Sequence, residues 1–206
     1  MLSAQAQTRP EPFTHCYKGA AVREFLAWFE ETFGREAIRS ALRRLPPGQA
    51  RLFDQTREHY GVLHAGWYPA SAFNTLLDNA LERVPAVTQA SLAAAAAEAA
   101  AGRTLRGIYG NLLRLLSTPA LYAKHAQKVW DTYHNGGRLV VALDGDGRAI
   151  SSVSRWSGHH PFLCRVMGEA GALVFSSMNL LDVRSVRLSC VADGARACSF
   201  LTTWRD

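Results

Sequence analysis

The 206-residue sequence predicts an α+β fold in which an N-terminal helical layer packs on a four-stranded, mainly antiparallel sheet with one crossing helix. Two observations support this prediction. Apolar residues recur at helical spacing through the first two thirds of the chain, and from Gly137 onward the spacing changes to simple alternation. With 48% hydrophobic residues, the chain is long enough to bury a substantial core.

The first two predicted helices have clear ends. The stretch 19–34 places apolar residues on one face and stops at Gly34, which suits a helix end. A second amphipathic stretch, 35–45, ends at the proline pair 46–47, because a proline disfavours helical geometry in the residue before it. A third helix is predicted through Leu52 and Phe53.

Four further helices are predicted before the sheet. One follows a turn at Tyr68-Pro69, with the proline near its first turn. The alanine-rich stretch 90–105 is a packed helix rather than a linker, because alanine has the highest helix propensity. Two more cover 104–116 and 119–135, and the second stops at Gly136-Gly137.

The remaining chain predicts a hairpin, a helix and a second hairpin. The strands 138–143 and 148–155 flank the turn sequence DGDG, the helix covers 160–178, and the last hairpin covers 184–204. A three-residue loop from Asp193 to Ala195 matches apolar with apolar faces in this last hairpin. The resulting register pairs Val186 with Thr202, Leu188 with Phe200, and Cys190 with Cys198.

Two of the four cysteines therefore lie in one hairpin, and three interpretations stay open. A disulfide is disfavoured because the N-terminus lacks a secretory signal, which predicts a cytoplasmic chain with reduced thiols. Packed thiols are the favoured interpretation. A zinc site would add Cys164 as the third ligand and His159 or His160 as the fourth.

Composition excludes several function classes. The formal charge is +6, but the three lysines and the dispersed arginines form no stripe, so no nucleic-acid partner is expected. No apolar stretch reaches about 18 residues, so no membrane span is expected. A glycine-rich nucleotide loop, a His-Glu-x-x-His pair and a nucleophile elbow are all missing, so no catalytic residue is predicted.

Aromatic residues near the predicted helix–sheet boundary are candidates for ligand contact. Trp130 and His134 are four residues apart and share a helix face, which suits either core packing or an orienting contact in a pocket. Because this helix leads straight into the first strand of the sheet, we expect any apolar ligand space between the two. The predicted ligand-binding residues are Trp130, His134, Trp156 and Phe162.

The C-terminal part resembles the 4-vinyl-reductase domain. The pattern comprises Cys164, Gly168, Gly171, Cys190, Gly194, the run Cys198-Ser199-Phe200, and Trp204. The upstream motifs YKG, WYP, AGRTLRGIYGNLLRLL and TPALYAKHAQKVWDTYHNGG resemble an uncharacterised bacterial family, well represented in myxobacteria and related to that domain.

This resemblance implies a fold shared with haem-nitric-oxide-binding sensor domains and with subunits of the transport protein particle tether. Members hold small hydrophobic molecules, haem or acyl chains between a helical layer and the sheet. In phenol-responsive activators, such a domain binds an aromatic effector, dimerises and holds zinc through cysteines that match Cys164, Cys190 and Cys198. The acidic zinc ligand is missing from VRLSC, and the haem-propionate tyrosine is missing from SSVSR, so haem is disfavoured.

The sequence and the resemblance together predict a small-molecule-binding sensory or regulatory module, homodimeric and without catalysis of its own. The alternatives are a tetrapyrrole enzyme or its accessory protein, and a non-catalytic protein-interaction module. The expected organisation is a mobile leader (1–16), a helical subdomain (17–136) and a 4-vinyl-reductase-like α+β subdomain (137–206) in one compact unit.

Overall fold

The computed structural model describes residues 15–106 and 118–205, and for residues 101–106 it describes the backbone only. The helices are α1 (Gly19–Phe33), α2 (Arg35–Arg43), α3 (Pro47–Ala50), α4 (Ala70–Leu81), α5 (Ala86–Arg106), α6 (Pro119–Tyr133) and α7 (Pro161–Ser176). The strands are β1 (Cys16–Lys18), β2 (Trp67–Pro69), β3 (Arg138–Leu143), β4 (Arg148–Ser154), β5 (Leu181–Ser189) and β6 (Cys198–Arg205).

The main sheet has four antiparallel strands in the order β3-β4-β6-β5, which confirms the predicted fold class. Helix α7 connects β4 to β5 at the far edge, so it crosses the sheet. Both α6 and α7 pack on the same face, where Tyr122, Val141 and Phe175 meet in one buried cluster. The other face of the sheet carries no helix among the described residues.

The helical layer and the sheet share one hydrophobic core. Its largest cluster joins Leu26 of α1 and Leu77 of α4 with Trp130 of α6, Val153 of β4 and Phe162 of α7. Most of these side chains come from amphipathic stripes that the sequence pattern identified. The cluster shows that the predicted boundary at residue 137 does not divide the core.

A small second sheet was missed by the sequence analysis. Strand β1 pairs antiparallel with β2, with Tyr17 opposite Tyr68, so Cys16 belongs to a strand and not to a leader. The prediction placed only a turn at 68–69, because three residues are too few to show alternation. Residues 1–14 of the predicted leader lie outside the described residues.

Two helix boundaries also differ from the predictions. Helix α3 is a single turn that ends at Ala50, before Leu52 and Phe53. The chain turns there because the amide of Asp54 donates to the carbonyl of Tyr60, which closes the loop that follows. The predicted helix 104–116 lies mostly outside the described residues, since α5 is described only to Arg106.

The predicted register of the last hairpin holds next to the loop and is wrong by one residue further along the strands. Ser189 meets Ser199 as predicted, but beyond a β-bulge Arg187 pairs with Phe200 and Val186 with Leu201. Val186 and Leu188, which were expected on the buried face, are 60% and 54% exposed. The loop is longer than three residues and includes a short 3-10 turn, Val191–Asp193.

Among the described residues, no helix combines the length and apolar character needed to cross a membrane.

Two glycines of the β3–β4 turn allow a matched test of the fold. Gly145 and Gly147 both have positive φ, but only at Gly147 would a Cβ meet backbone, 2.6 Å from the Trp204 carbonyl oxygen. We expect Gly145→Ala to lower the free energy of unfolding by about 1–2 kcal/mol, the cost of the left-handed conformation. Gly147→Ala should cost clearly more, because Trp204 must also move.

Urea denaturation of both variants measures this difference. Equal losses for the two variants would contradict the close approach of the turn to β6.

Candidate functional site

An aromatic cluster lies where α6 leads into the sheet. The indole Nε1 of Trp130 donates to the carbonyl of Gly136 at 2.7 Å, which fixes the ring. The imidazole of His134 stacks on this indole with ring centroids 3.5 Å apart. Trp156, in the loop after β4, meets both rings edge-on, at 5.7 Å from Trp130 and 5.0 Å from His134.

Tyr17 of β1 completes the cluster from the helical side. Its hydroxyl donates to the carbonyl of Gly158 at 2.9 Å, and its ring contacts His134 and Trp156 edge-on. Burial raises the pKa of Tyr17, so the hydroxyl stays protonated and keeps donating. The cluster therefore joins β1, α6 and the loop after β4.

The hydrogen bonding of His134 defines its protonation state. Its Nδ1 lies 3.0 Å from the carbonyl oxygen of Trp130, and a carbonyl only accepts, so Nδ1 carries the proton. Burial lowers the pKa of His134 to about 4, against an ordinary value of 6.5. At neutral pH the ring is therefore uncharged, and Nε2 holds a lone pair.

An apolar cavity of about 150 Å³ lies against this imidazole. Helices α1, α4, α5 and α7 line it together with Tyr17 and His134, and its wall is mostly hydrocarbon but includes Glu24 of α1. The main contacts come from Tyr17, Phe25, Trp28, Phe73, His134, Leu163, Val166 and Met167. A cavity of about this size with an apolar lining can hold one benzene-sized molecule.

The predicted ligand residues have different places in this arrangement. His134 lines the cavity. Trp130 and Trp156 are not among the lining residues, but their rings pack against the imidazole of His134. Phe162 is fully buried and stacks on Trp28, one layer away. The cavity lies among the helices. The sequence analysis had instead expected a ligand space between α6 and the sheet.

Sequence analysis missed the other aromatic and aliphatic lining residues. Phe25 and Trp28 are three residues apart on α1, and Leu163, Val166 and Met167 form a stripe on α7. Such stripes are typical of core helices, so their spacing alone gave no sign of a cavity.

A second candidate site is the thiol cluster, formed by Cys164 of α7, Cys190 and Cys198. The three sulfur atoms lie within 4.8 Å of one another, and all three residues are buried. The Sγ atoms of Cys190 and Cys198 are 3.7 Å apart. The β5 bulge and the short 3-10 turn bring Cys190 to this position, although it is not the ladder partner of Cys198.

His159 adds a nitrogen donor to the thiol cluster. Its Nδ1 lies 3.4 Å from the Sγ of Cys198. Tetrahedral zinc with Zn–S near 2.3 Å and Zn–N near 2.05 Å separates its ligands by about 3.8 Å (S to S) and about 3.5 Å (S to N). The two separations fit these values, but the group whose ligand atoms all lie within 4.8 Å of one another comprises the three thiols without His159. The three thiols therefore suit zinc, and His159 is placed beside the sulfur of Cys198.

His160 is not available to the thiol cluster. Its Nδ1 accepts from the amide of Phe162 at the start of α7, and its Nε2 lies 3.0 Å from the Oδ1 of Asp78. Of the two histidines considered as a fourth ligand, the structure therefore places only His159 beside the sulfur atoms.

Hydrogen bonding shifts the pKa values of the Cys164 and Cys198 thiols in opposite directions. The Cys164 thiol donates to the sulfur of Cys198, which lowers the pKa of Cys198 and raises that of Cys164. The amide of Val191 also donates to the Cys198 sulfur, at 3.4 Å. The guanidinium of Arg187 lies close enough to Cys164 and Cys190 to interact electrostatically with both. Of Cys164 and Cys198, Cys198 is therefore the thiol that loses its proton first.

No family model matches the chain, and no curated protein sequence matches it either. The resemblance to the 4-vinyl-reductase domain is therefore not confirmed. Solved structures do match. The Fe(II) unliganded H-NOX protein from K. algicida aligns with a TM-score of 0.65 and 17% identity over 92% of this chain and 97% of that chain.

Two other H-NOX structures match in the same way. The protein from S. oneidensis in the Fe(II)NO ligation state gives a TM-score of 0.64 with 12% identity, over 92% of this chain and 99% of that chain. An oxygen-binding H-NOX domain related to soluble guanylate cyclases gives 0.59 with 7% identity, over 92% and 95%. The chain has an H-NOX-like α+β fold, which confirms the expected haem-nitric-oxide-binding architecture.

The lowered pKa of His134 predicts a pH-dependent stability. Between about pH 6.5 and 4 the unfolded chain binds a proton at this residue and the folded chain does not. The free energy of unfolding should therefore fall as the pH decreases through this window, by at most about 1.4 kcal/mol per pH unit. In His134→Phe, which keeps an aromatic ring, this contribution should vanish.

Urea denaturation at pH 7 and pH 5 tests this, with His64→Gln as the control because His64 is exposed. If the variant and the wild-type protein lose the same stability, burial of a neutral His134 is wrong.

The thiol cluster predicts bound zinc. We expect close to one zinc per chain by elemental analysis, after purification without a metal-affinity resin. Cys198→Ser should abolish binding because it removes the thiol that is central to the cluster, and His159→Ala should weaken it. Cys16→Ser is the matched control, since Cys16 lies in β1 outside the cluster. Metal-free wild-type protein would support packed thiols instead.

Proposed function

We propose that this chain is a ligand-binding sensory module that holds one small aromatic molecule in the apolar cavity beside His134. The observation that carries the proposal is the combination of a mainly hydrocarbon-lined space of about 150 Å³ with a neutral imidazole in its wall, where Glu24 is the other polar lining residue besides Tyr17. Pockets of this kind use apolar surface for affinity and a few polar groups for orientation.

The cavity wall suits a single aromatic ring. Phe25 meets Phe73 edge-on at 5.1 Å, and Tyr17 meets Phe73 in the same way at 5.2 Å. A ligand ring placed among them gains further edge-to-face contacts, each worth about 0.5–1.5 kcal/mol. A phenolic hydroxyl can donate to Nε2 of His134, because the Nδ1 proton is already committed to the Trp130 carbonyl.

Haem does not fit the cavity that the described residues line. One matched structure concerns the modulation of haem redox potential through protein-induced porphyrin distortion, so haem is the ligand that the fold suggests. A porphyrin carries four linked pyrrole rings and needs several times the space of one benzene ring. Among the described residues, Trp130 and Trp156 already pack around His134 and would have to move to admit it.

Ligand occupancy has a physical route to the rest of the molecule through α7. Leu163, Val166 and Met167 line the cavity, and Met167 also packs against the thiol cluster. A ligand in the cavity would therefore contact the same helix that positions Cys164. This link supports a sensory role without chemistry on the ligand. Dimerisation and a cytoplasmic location stay predictions.

The proposal predicts discrimination between phenol and toluene. The two molecules are similar in size, but only phenol can donate to Nε2 of His134. We expect the wild-type protein to bind phenol about fivefold to tenfold more tightly, since one such hydrogen bond is worth about 1 kcal/mol. Isothermal titration calorimetry measures both affinities.

His134→Phe should remove this preference while toluene still binds, and His125→Gln on the same helix should retain it because His125 does not line the cavity. Ala96→Leu, which fills the cavity from α5, should weaken both ligands. Absence of binding to either ligand would contradict the proposal. A Soret band in freshly purified protein would support the tetrapyrrole alternative instead.

A further inference from the structure

A second, polar pocket of about 180 Å³ opens between α7 and the sheet, on the side of α7 away from the aromatic cavity. It is distinct from both sites described above, although it borders the thiol cluster through Phe200. Its lining residues are Arg165, Gly168 and Glu169 of α7, Ser185 and Arg187 of β5, and Phe200 of β6.

The floor of the pocket holds an unsatisfied hydroxyl. The Oγ of Ser185 is buried and has no hydrogen-bond partner among the described residues. An unpaired polar atom out of contact with water costs about 1–3 kcal/mol, so such atoms usually have a bound water, ion or ligand as their partner. Ser185 lines the pocket, and rotation about its χ1 angle would turn the hydroxyl from its buried position toward an incoming group.

Two arginines line the same pocket. The side chain of Arg187 is 34% exposed, forms an ion pair with Asp193 at 3.3 Å, and also interacts with Cys164 and Cys190. Arg165 reaches the pocket from the opposite wall. Glu169 contributes one negative charge at the rim, so the lining side chains carry two positive charges and one negative charge, a net +1.

Gly168 allows these groups to converge. A Cβ at this position would lie 3.0 Å from Cδ1 of Phe200 and 3.8 Å from Oγ of Ser185. A larger residue would push α7 away from β5 and β6, or fill the floor of the pocket. The glycine therefore keeps the helix close to the strands and leaves space beside the Ser185 hydroxyl.

We infer that this pocket binds a small oxyanion, either a carboxylate or a phosphate group, between Arg165 and Arg187 with Ser185 as the central donor. Guanidinium groups bind both anions through paired N–H donors in fixed geometry. The Ser185 hydroxyl supplies one further hydrogen-bond donor, in addition to the guanidinium N–H groups. The site does not depend on the aromatic cavity, but its Arg187 also interacts electrostatically with Cys164 and Cys190 of the thiol cluster.

Titrations with sodium acetate and with sodium phosphate test the inference, each at constant ionic strength with sodium chloride as the balancing salt. We expect saturable shifts of the amide resonances of Gly168 and Ser185 in the millimolar range for at least one of the two anions. The anion that binds more tightly identifies the chemical class. If neither anion gives saturable shifts, the inference is wrong.

Single substitutions show whether each lining side chain strengthens or weakens anion binding. Arg165→Gln and Ser185→Ala should each weaken binding about tenfold, as expected for lost hydrogen bonds to a charged group. Glu169→Gln should tighten binding, because it removes the only like charge in the lining. Ser185→Ala is expected to fold well, since it deletes an unsatisfied hydroxyl.

Arg184→Gln is the matched control, because Arg184 precedes Ser185 on β5, and its side chain alternates to the opposite face of the sheet. Equal weakening in Arg184→Gln and Arg165→Gln would show general charge attraction and overturn the assignment of the pocket.

Discussion

The contact between Tyr17 and His134 is the constraint on which the rest of the structure depends. It lies at an isolated β-bridge that joins β1 to the end of α6, just before the sheet begins. The amide of Asn135 donates to the carbonyl of Cys16 at 3.2 Å and reinforces this junction. The two bridged residues are 117 positions apart in the sequence. Closing this long loop fixes the helical layer on the sheet and leaves the aromatic cavity between the helices.

Helix α7 carries most of the functional chemistry because its faces meet different surroundings. One face lines the aromatic cavity, Cys164 belongs to the thiol cluster, and Gly168 approaches Phe200 beside the polar pocket. Met167 packs against both the main core and the thiol cluster. A shift of this one helix would therefore change the environment of all three candidate sites at once.

Much of the fold was predictable from sequence because the helices and the β3–β4 hairpin carry strong periodic patterns. The last hairpin was not, since a β-bulge shifts the pairing after Arg187 and no residue type marks it. The proximity of Cys164, Cys190 and Cys198 was anticipated, but the position of His159 depends on a loop. The cavity was placed wrongly because a lining stripe and a core stripe have the same spacing, and only packing in three dimensions distinguishes them.

The irregularity in β5 also affects how molecules of this protein meet one another. Strand β5 is an edge of the main sheet, and its exposed residues include Val186 and Leu188 beside Arg184. A regular, flat edge with such apolar residues is a template for adding a strand from another chain. The bulge bends the strand and interrupts the row of free backbone groups, and the arginine places charge along it. The one-residue shift that brings Cys190 to the thiol cluster thus also protects the folded chain against intermolecular sheet formation.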